Sequence, residues 1–189
     1  EEFCTTRYSV TFKLFQKISS EYEKSFFVII SNFVSHIDTH NILDENFNIL
    51  KDNRDIYNTV EFNLSNFIKK FSKKDEILIF EPVPKPNMTL AECRNQIEIF
   101  GEKKTYCDYS YKNFYYAKKM LTDLENKFSN VNVFGFDDLI CKNDKCSFFY
   151  DLEKKQAFII DMSHITIETN YLIEKKFKNF LSSIYYKNY

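Results

Sequence analysis

The segment 131–165 determines how the whole chain is interpreted. It begins with VNVFGFDDLIC (131–141), continues through a short polar loop to Cys146, and ends with FIIDMSHI (158–165). The first apolar run is typical of a strand that is covered on both faces. The second run places Asp161 and His164 directly before an amphipathic segment. A carboxylate three residues before a histidine can orient an imidazole that takes a proton from a hydroxyl.

The Asp-x-x-His spacing needs support from its surroundings. The chain contains 12 Asp and 3 His, so about 0.2 such pairs are expected by chance. A histidine that caps or packs near the start of a helix would produce the same pattern. We therefore interpret Asp161 and His164 from the elements that are predicted around them.

Length and composition exclude several classes of site. A chain of 189 residues predicts one domain, residues 1–189. Its two glycines, Gly101 and Gly135, cannot form a glycine-rich phosphate loop, and we expect no cofactor. The formal net charge of -1 argues against a nucleic-acid partner, which needs a concentrated excess of Lys and Arg. No apolar run is long enough to span a bilayer, and nothing resembles a signal peptide.

The cysteines predict disulfides rather than a metal site. Their spacing fits no zinc pattern, because no Cys-x-x-Cys occurs and no His lies near a Cys in sequence. Cys141 and Cys146 bound a polar loop that suits a local disulfide, and Cys93 with Cys107 is a plausible second pair. Cys4 would then be left without a partner in the chain, and we expect no bound metal.

Two sequons match the acceptor pattern for N-glycosylation, Asn63-Leu-Ser65 and Asn87-Met-Thr89. Such sequons also arise by chance in an Asn-rich chain. Together with the cysteines they favour an extracellular or lumenal setting.

Hydrophobic periodicity predicts helices and strands in alternation. Helices are predicted at 8–23, 60–71, 111–128 and 167–185, and strands at 26–30, 77–80 and 131–136. Thr166 is the predicted N-cap of the last helix. Residues 38–55 are predicted as a loop that includes a short turn of helix, and residues 87–110 as a loop that is stapled by its two cysteines. The aromatic stripe Phe114-Tyr-Tyr116 is predicted to pack in the core and at its rim.

Strands that are separated by helices predict an α/β fold with a parallel sheet and helices on both faces, a three-layer α/β/α architecture. In such sheets the working residues lie at the carboxyl ends of the strands. We therefore expect one rim to carry or adjoin a set of polar residues: Asn32, Glu81, Asp137, Asp161 and His164.

At this point the chain resembles a known family. The run from 131–136 through Cys141-x4-Cys146 to Asp161-Met-Ser-His164-Ile-Thr166 is similar to the end of an SGNH (GDSL-like) hydrolase domain. The nearest variant is fused behind the membrane domain of acyltransferase-3 proteins, the O-acyltransferase type that is abundant in nematodes. The stretches FVIISNF (27–33) and ILIFEPVP (77–84) resemble earlier strands of that domain.

The resemblance implies roles for three residues. His164 would be the general base, and Asp161 would hold its tautomer and stabilise the imidazolium. Asn32 falls near the block that contributes an oxyanion-hole donor, although the glycine that usually accompanies it is absent. Thr169 replaces a frequent glycine at the start of the last helix. His36 and His40 match no motif and are predicted to be surface residues.

The family nucleophile is missing from this chain. No Gly-Asp-Ser occurs, and Ser31, which ends a strand, lies in the wrong block. The implied flavodoxin-like strand order, 2-1-3-4-5, would leave the strand at 26–30 as an unpaired apolar edge if the first two strands were absent. Together with the first residue, Glu rather than Met, this leads us to expect a domain that is incomplete at its N-terminus and inactive as this chain alone.

Three functions are consistent with these residues. The first is part of an acyltransferase or esterase that uses a Ser-His-Asp mechanism, with an acyl donor and a hydroxyl acceptor such as a saccharide as partners. It would contact a membrane only through an upstream transmembrane domain, and would lie on an extracellular or lumenal face or be secreted. The second is a non-catalytic extracellular binding or interaction domain of the same fold. The third is an unrelated α/β module in which Asp161 and His164 only cap a helix.

Overall fold

The computed structural model describes residues 2–30, 42–43, 46–101, 107–110, 115–142, 145–151, 156–160 and 164–186. Its helices are α1 (Glu2–Glu21), α2 (Asn53–Ile68), α3 (Leu90–Phe100), α4 (Tyr115–Lys127), α5 (Asp137–Ile140) and α6 (Ile167–Tyr186). Its strands are β1 (Phe26–Ile30), β2 (Glu76–Phe80), β3 (Tyr109–Ser110), β4 (Val131–Phe134), β5 (Cys141–Lys142), β6 (Lys145–Cys146), β7 (Phe149–Asp151) and β8 (Gln156–Ala157).

The predicted parallel sheet is present, with strand order β1-β2-β4. Phe26 pairs with Glu76 at one junction, and Ile77 pairs with Val131 at the other. The central strand β2 is buried along most of its length because it has a neighbour on each side and helices over both faces. This agrees with the short, continuously apolar run that predicted it.

Helices cover the two faces of the sheet with different aromatic clusters. On one face, Phe27 packs against Phe15 of α1 and against Phe71, with ring centroids 5.2 and 4.9 Å apart. On the other face, Phe134 packs against Phe177 and Phe180 of α6 at 5.0 and 5.1 Å. Side chains alternate between the faces of a strand. The fold is therefore α/β with three layers, as predicted.

Strand β1 lies at the edge of this sheet, and part of its surface is uncovered. Among the described residues it pairs with β2 alone. Phe26 is 45% exposed and Val28 is 54% exposed, whereas Phe27, which faces α1, is buried. A parallel strand is usually covered on both faces. The described part of the sheet thus ends in an apolar edge, in agreement with the prediction.

Helix α2 begins well before its predicted start at residue 60. Asp52 is its N-cap, and the Asp52 side chain accepts hydrogen bonds from the N–H groups of Arg54 and Asp55 at 2.8 and 3.3 Å. Ile56 and Tyr57 are buried on the first turn. The predicted loop was wrong here because two apolar residues among polar ones give too weak a period to identify a helical turn.

Helix α3 lies inside the segment that was predicted as a stapled loop. Thr89 and Glu92 form a capping box, with the Glu92 carboxylate accepting from the Thr89 N–H at 2.6 Å. The helix ends at Gly101, whose φ of 85° suits glycine. The staple itself is present, because Cys93 is bonded to Cys107. The loop prediction was wrong because α3 buries little of its surface and so has no clear apolar period.

The segment after β4 contributes strands to two small antiparallel sheets. Strands β3, β6 and β5 pair in that order, and β7 pairs with β8. The disulfide Cys141–Cys146 links β5 to β6, as expected from its spacing. The side chain of Cys4 lies outside the described part of the chain.

Candidate functional site

His164 lies in a chain reversal that is held by backbone hydrogen bonds on both sides. The Ile160 N–H donates to the His164 carbonyl at 2.8 Å, and the Thr166 N–H donates to the Phe158 carbonyl at 3.0 Å. Ile159 and Ile165 form an antiparallel bridge. The His164 side chain is exposed. The backbone of the predicted base is therefore anchored while its imidazole remains accessible.

Two threonines fasten this reversal to the first turn of α6. The Thr166 hydroxyl donates to the Ala157 carbonyl at 2.8 Å and accepts from the Thr169 N–H at 3.2 Å. The latter bond confirms Thr166 as the N-cap. The Thr169 hydroxyl donates to the Phe158 carbonyl at 2.9 Å. Thr169 is fully buried, so the residue that replaces the frequent family glycine has a structural role here.

Several predicted residues lie outside the described part of the chain. These are Asn32, Asp161, Ser31, His36 and His40. Asp161 belongs in sequence to the reversal that the Ile160–His164 hydrogen bond closes. Its contact with His164 and the oxyanion role of Asn32 remain predictions.

The rim of the sheet carries a second group of ionisable residues, beginning with Glu81. Its N–H donates to the Phe134 carbonyl at 2.9 Å and so extends β2 toward β4. Its carboxyl lies against Gly135, where a Cβ atom would be 2.1 Å from Glu81 Oε2. This Oε2 atom is buried and accepts no hydrogen bond from the residues that the structure describes. Glycine at 135 is therefore needed for the carboxyl to fit.

Asp137 joins Glu81 to the neighbouring helices. The Lys118 ammonium of α4 donates to Asp137 Oδ2 at 2.6 Å. The Asp137 carboxyl also lies within hydrogen-bonding reach of Glu81. Two carboxyl groups attract each other only when one of them carries a proton. The nearby Asp137 carboxyl therefore favours the protonated form of Glu81.

Protonation of Glu81 is favoured mainly by its burial. The pKa of Glu81 is raised from 4.5 to about 7. Loss of solvation is the largest cause, and the charge of Asp137 and its hydrogen bond with Glu81 also raise the pKa. The ammonium groups of Lys118 and Lys176 act in the opposite direction and lower the pKa of Glu81. A carboxyl that titrates near neutral pH at the rim of a parallel sheet could exchange protons with a ligand.

Glu81 and His164 adjoin different parts of α6. Lys176 of α6 forms an ion pair with Asp138, next to Asp137. Phe177 contacts Phe80 and Phe134, the last residues of β2 and β4. The helical segment from Thr166 to Phe177 spans about 16 Å, at about 1.5 Å per residue. The structure thus brings Asp137 close to Glu81 and sets both near Lys176 in the middle of α6, whereas His164 lies three residues before the start of that helix.

A cleft of about 510 Å³ opens beside the segment that anchors His164. It is lined by both apolar and charged side chains, among them Phe149, Tyr150, Phe158, Lys142 and Lys145. His164 is not part of this lining. In the described ranges no group of three or more His, Cys, Asp or Glu side chains is arranged to hold a metal ion. The helices of those ranges also lack the length and apolar character that crossing a membrane requires.

Sequence reasoning placed Glu81 and Asp137 at the rim but missed their contact. The signal that could have identified it is the glycine between β4 and Asp137, beside the position where β2 continues into Glu81. A glycine at a strand end often marks a close approach by another group. The pairing itself depends on the register of β2 against β4.

Comparison with known proteins gives one match. A family model described as "SGNH domain (fused to AT3 domains)" matches residues 1–179. No curated protein matches the chain, and no solved structure matches it. The match confirms the resemblance that the sequence motifs indicated, and it removes the interpretation as an unrelated α/β module.

Proposed function

Because this chain belongs to the family of SGNH domains that are fused to AT3 domains, we propose that it contributes catalytic groups to an acyl-transfer site. Its fold is of the esterase and acyltransferase type. His164 is the proposed general base, Asp161 the carboxylate that orients it, and Asn32 an oxyanion donor. The proposed substrates are an acyl donor and a hydroxyl acceptor, and we propose a saccharide as the acceptor.

The anchored reversal at His164 is the observation that carries this proposal. A general base must be held in place while its imidazole reaches a hydroxyl. The backbone bonds at Ile160 and Thr166 restrict the reversal, and the His164 side chain is exposed. Asp161 precedes His164 by three residues in sequence, and a carboxylate at that spacing is proposed to accept a hydrogen bond from the imidazole.

The proposed nucleophile is a serine on polypeptide that is not part of these 189 residues. The uncovered edge of β1 supports this proposal, because Phe26 and Val28 are exposed on a strand that a parallel sheet would ordinarily cover. Further strands added beside β1 would bury these two side chains. They would also bring a strand end, where a nucleophile can be presented, to the same rim.

The proposed reaction has two proton-coupled steps. His164 takes the proton of the serine hydroxyl as its oxygen attacks the acyl carbonyl, and the departing group then takes that proton from the imidazolium. In the second step His164 takes the proton of the acceptor hydroxyl as its oxygen attacks the acyl carbonyl of the acyl-enzyme. The bond from that carbonyl to the serine oxygen then breaks, and the serine oxygen takes the proton from the imidazolium. The Asn32 amide would donate to the oxyanion that forms in each step.

Replacement of the base tests the proposal. We expect His164→Ala, made in the longest natural protein that contains this chain, to lower turnover of a chromogenic acyl ester by about 1,000-fold, because general-base assistance is lost. His40→Ala is the control, since His40 is predicted to be a surface residue, and we expect its turnover to equal that of the wild type. Unchanged turnover in a folded His164→Ala protein rules out the mechanism.

A second function, a non-catalytic extracellular binding domain, is favoured by a different observation. Ile160, Ile167 and Tyr171 are exposed near His164 in sequence, and exposed apolar side chains are common in interaction surfaces. A wild-type protein that shows no esterase or transferase turnover, but binds a partner through these residues, would support this alternative.

We propose an extracellular or lumenal location, as part of a membrane protein or as a secreted one. The fusion of this family to AT3 domains supports a membrane acyltransferase context. The disulfides Cys93–Cys107 and Cys141–Cys146 support an oxidising compartment.

A further inference from the structure

The two sequons differ in their structural setting, although both asparagines are exposed. Asn63-Leu-Ser65 lies within α2, and Asn87-Met-Thr89 lies in the bend that precedes α3. Oligosaccharide transfer needs the asparagine amide and the hydroxyl two residues later to be reached together. The exposure of these two residues therefore distinguishes the sequons.

In α2 the two groups of the first sequon point to different sides. Residues i and i+2 do not face each other on a helix. Asn63 faces solvent, whereas Ser65 is 2% exposed and its hydroxyl accepts a hydrogen bond from the Lys127 ammonium at 3.2 Å. The Ser65 hydroxyl is thus buried between α2 and α4 and is not presented with the Asn63 amide.

In the bend before α3 both residues of the second sequon reach the surface, because Asn87 is exposed and Thr89 is partly exposed. The Thr89 hydroxyl caps α3 there and accepts a hydrogen bond from the Glu92 N–H at 3.2 Å. Met88, between them, packs against the core. Asn87 is exposed and follows the buried Pro86, which helps to hold the bend at the surface.

We propose that Asn87 carries an N-linked oligosaccharide in the native protein and that Asn63 does not. The donor is a polyisoprenyl diphosphate-linked oligosaccharide. The Asn87 amide nitrogen forms a bond to the anomeric carbon of the first sugar, and the bond from that carbon to the diphosphate oxygen breaks. The diphosphate leaves with the electron pair, and the amide nitrogen loses one proton.

The position of Asn87 gives this modification a consequence for the reversal at His164. The N–H of Leu90, three residues after Asn87, donates to the Ile160 carbonyl at 3.3 Å, and the Ile160 N–H donates to the His164 carbonyl. An oligosaccharide on Asn87 stands beside this reversal and can shield Ile160, which is 50% exposed. The modification does not depend on acyl transfer and can be tested separately from it.

The experiment secretes residues 1–189 from eukaryotic cells behind a cleavable leader and collects protein from both cells and medium. Peptide-N-glycosidase F converts a glycosylated Asn to Asp, and peptide mass spectrometry of the wild-type chain then locates the change. We expect it at Asn87 and not at Asn63. In parallel, Asn87→Gln should abolish the mobility shift on enzyme treatment, and Asn63→Gln should retain it.

Thr89→Ser is the matched control, because it keeps both the sequon and the hydroxyl that caps α3. We expect it to retain the shift, whereas Thr89→Ala should lose it. Occupancy of Asn63 in place of Asn87, or a wild-type chain with no conversion at either position, overturns the proposal. Because the wild-type peptide map needs no variant, a variant that fails to fold does not affect this outcome.

Discussion

At the residue scale, Glu81 connects the end of β2 to the helices around it. Its carboxyl lies against Gly135 and near Asp137, with Lys118 and Lys176 as the surrounding cations. Burial is the largest cause of its raised pKa. Two measurable consequences follow, one for pH dependence and one for packing.

We expect the stability of the chain to fall as the pH rises from 4.5, the ordinary pKa of a Glu side chain, to about 7, the pKa of Glu81 in the folded chain. The folded state keeps a proton that the unfolded chain releases in this range, so its stabilisation is full below 4.5 and is lost as the pH rises through about 7. The effect should be about 1 to 2 kcal/mol, since water around a partly exposed carboxyl screens it.

Urea unfolding across this pH range measures the effect. Glu81→Gln should flatten the slope, because the amide does not titrate. Glu23→Gln, at an exposed position, is the control and should leave the slope unchanged. Equal slopes for the wild type and Glu81→Gln would contradict a folded-state proton on Glu81.

Gly135→Ala should destabilise the chain by about 1 to 3 kcal/mol, because its Cβ would be 2.1 Å from Glu81 Oε2. If the clash is with the Glu81 side chain, Glu81→Ala should relieve it. A double-mutant cycle of urea unfolding therefore checks the contact, and we expect Gly135→Ala to cost less in the Glu81→Ala background. Strict additivity of the two changes would place the strain elsewhere.

At the element scale, helix termini account for most of the differences from prediction. The Asp52 cap and the Thr89–Glu92 capping box set the starts of α2 and α3. Asp52 and the Thr89–Glu92 pair are capping residues that the sequence prediction did not use. It relied on hydrophobic periodicity, which is weak here because the helices that follow bury only part of one face.

Thr169→Val should lower the free energy of unfolding by about 1 to 2 kcal/mol. Valine matches the shape of threonine but leaves the Phe158 carbonyl without the hydroxyl that donates to it at 2.9 Å. Thr169→Ser keeps the donor and should cost less. Amide hydrogen exchange is the second measurement, and we expect faster exchange at Thr166, whose N–H donates to the same carbonyl. Unchanged exchange would mean that the hydroxyl does not hold the reversal.

At the scale of the whole molecule, the uncovered edge of β1 has a predictable effect on solution behaviour. An exposed apolar edge strand is a template for pairing with another chain. We therefore expect residues 1–189 to self-associate, and Val28→Lys to reduce that association without lowering stability by more than about 0.5 kcal/mol.

Light scattering after size-exclusion chromatography measures this association. Ile99→Lys is a suitable control, because Ile99 is also exposed but lies on α3. We expect the Ile99 variant to associate as the wild type does. The same reduction in both variants would mean that added charge, rather than the β1 edge, governs the association.

The sequence by itself determined the parallel sheet, the two disulfides and the cap of the last helix. Each depends on residues that are close in sequence or on runs that are apolar throughout. The strand 77–80 was recognised because burial on both faces leaves no polar position in the run. The strand 26–30 was recognised from an equally apolar run, although one of its faces is uncovered in the structure. Thr166 was recognised because capping acts within three residues.

Only the tertiary structure decided which rim residues meet. Glu81 and Asp137 come together because β2 and β4 pair in one register. The pKa of Glu81 was equally hidden from sequence. It arises from the loss of water around the carboxyl, and that loss depends on how distant segments pack rather than on the residues beside Glu81 in the chain.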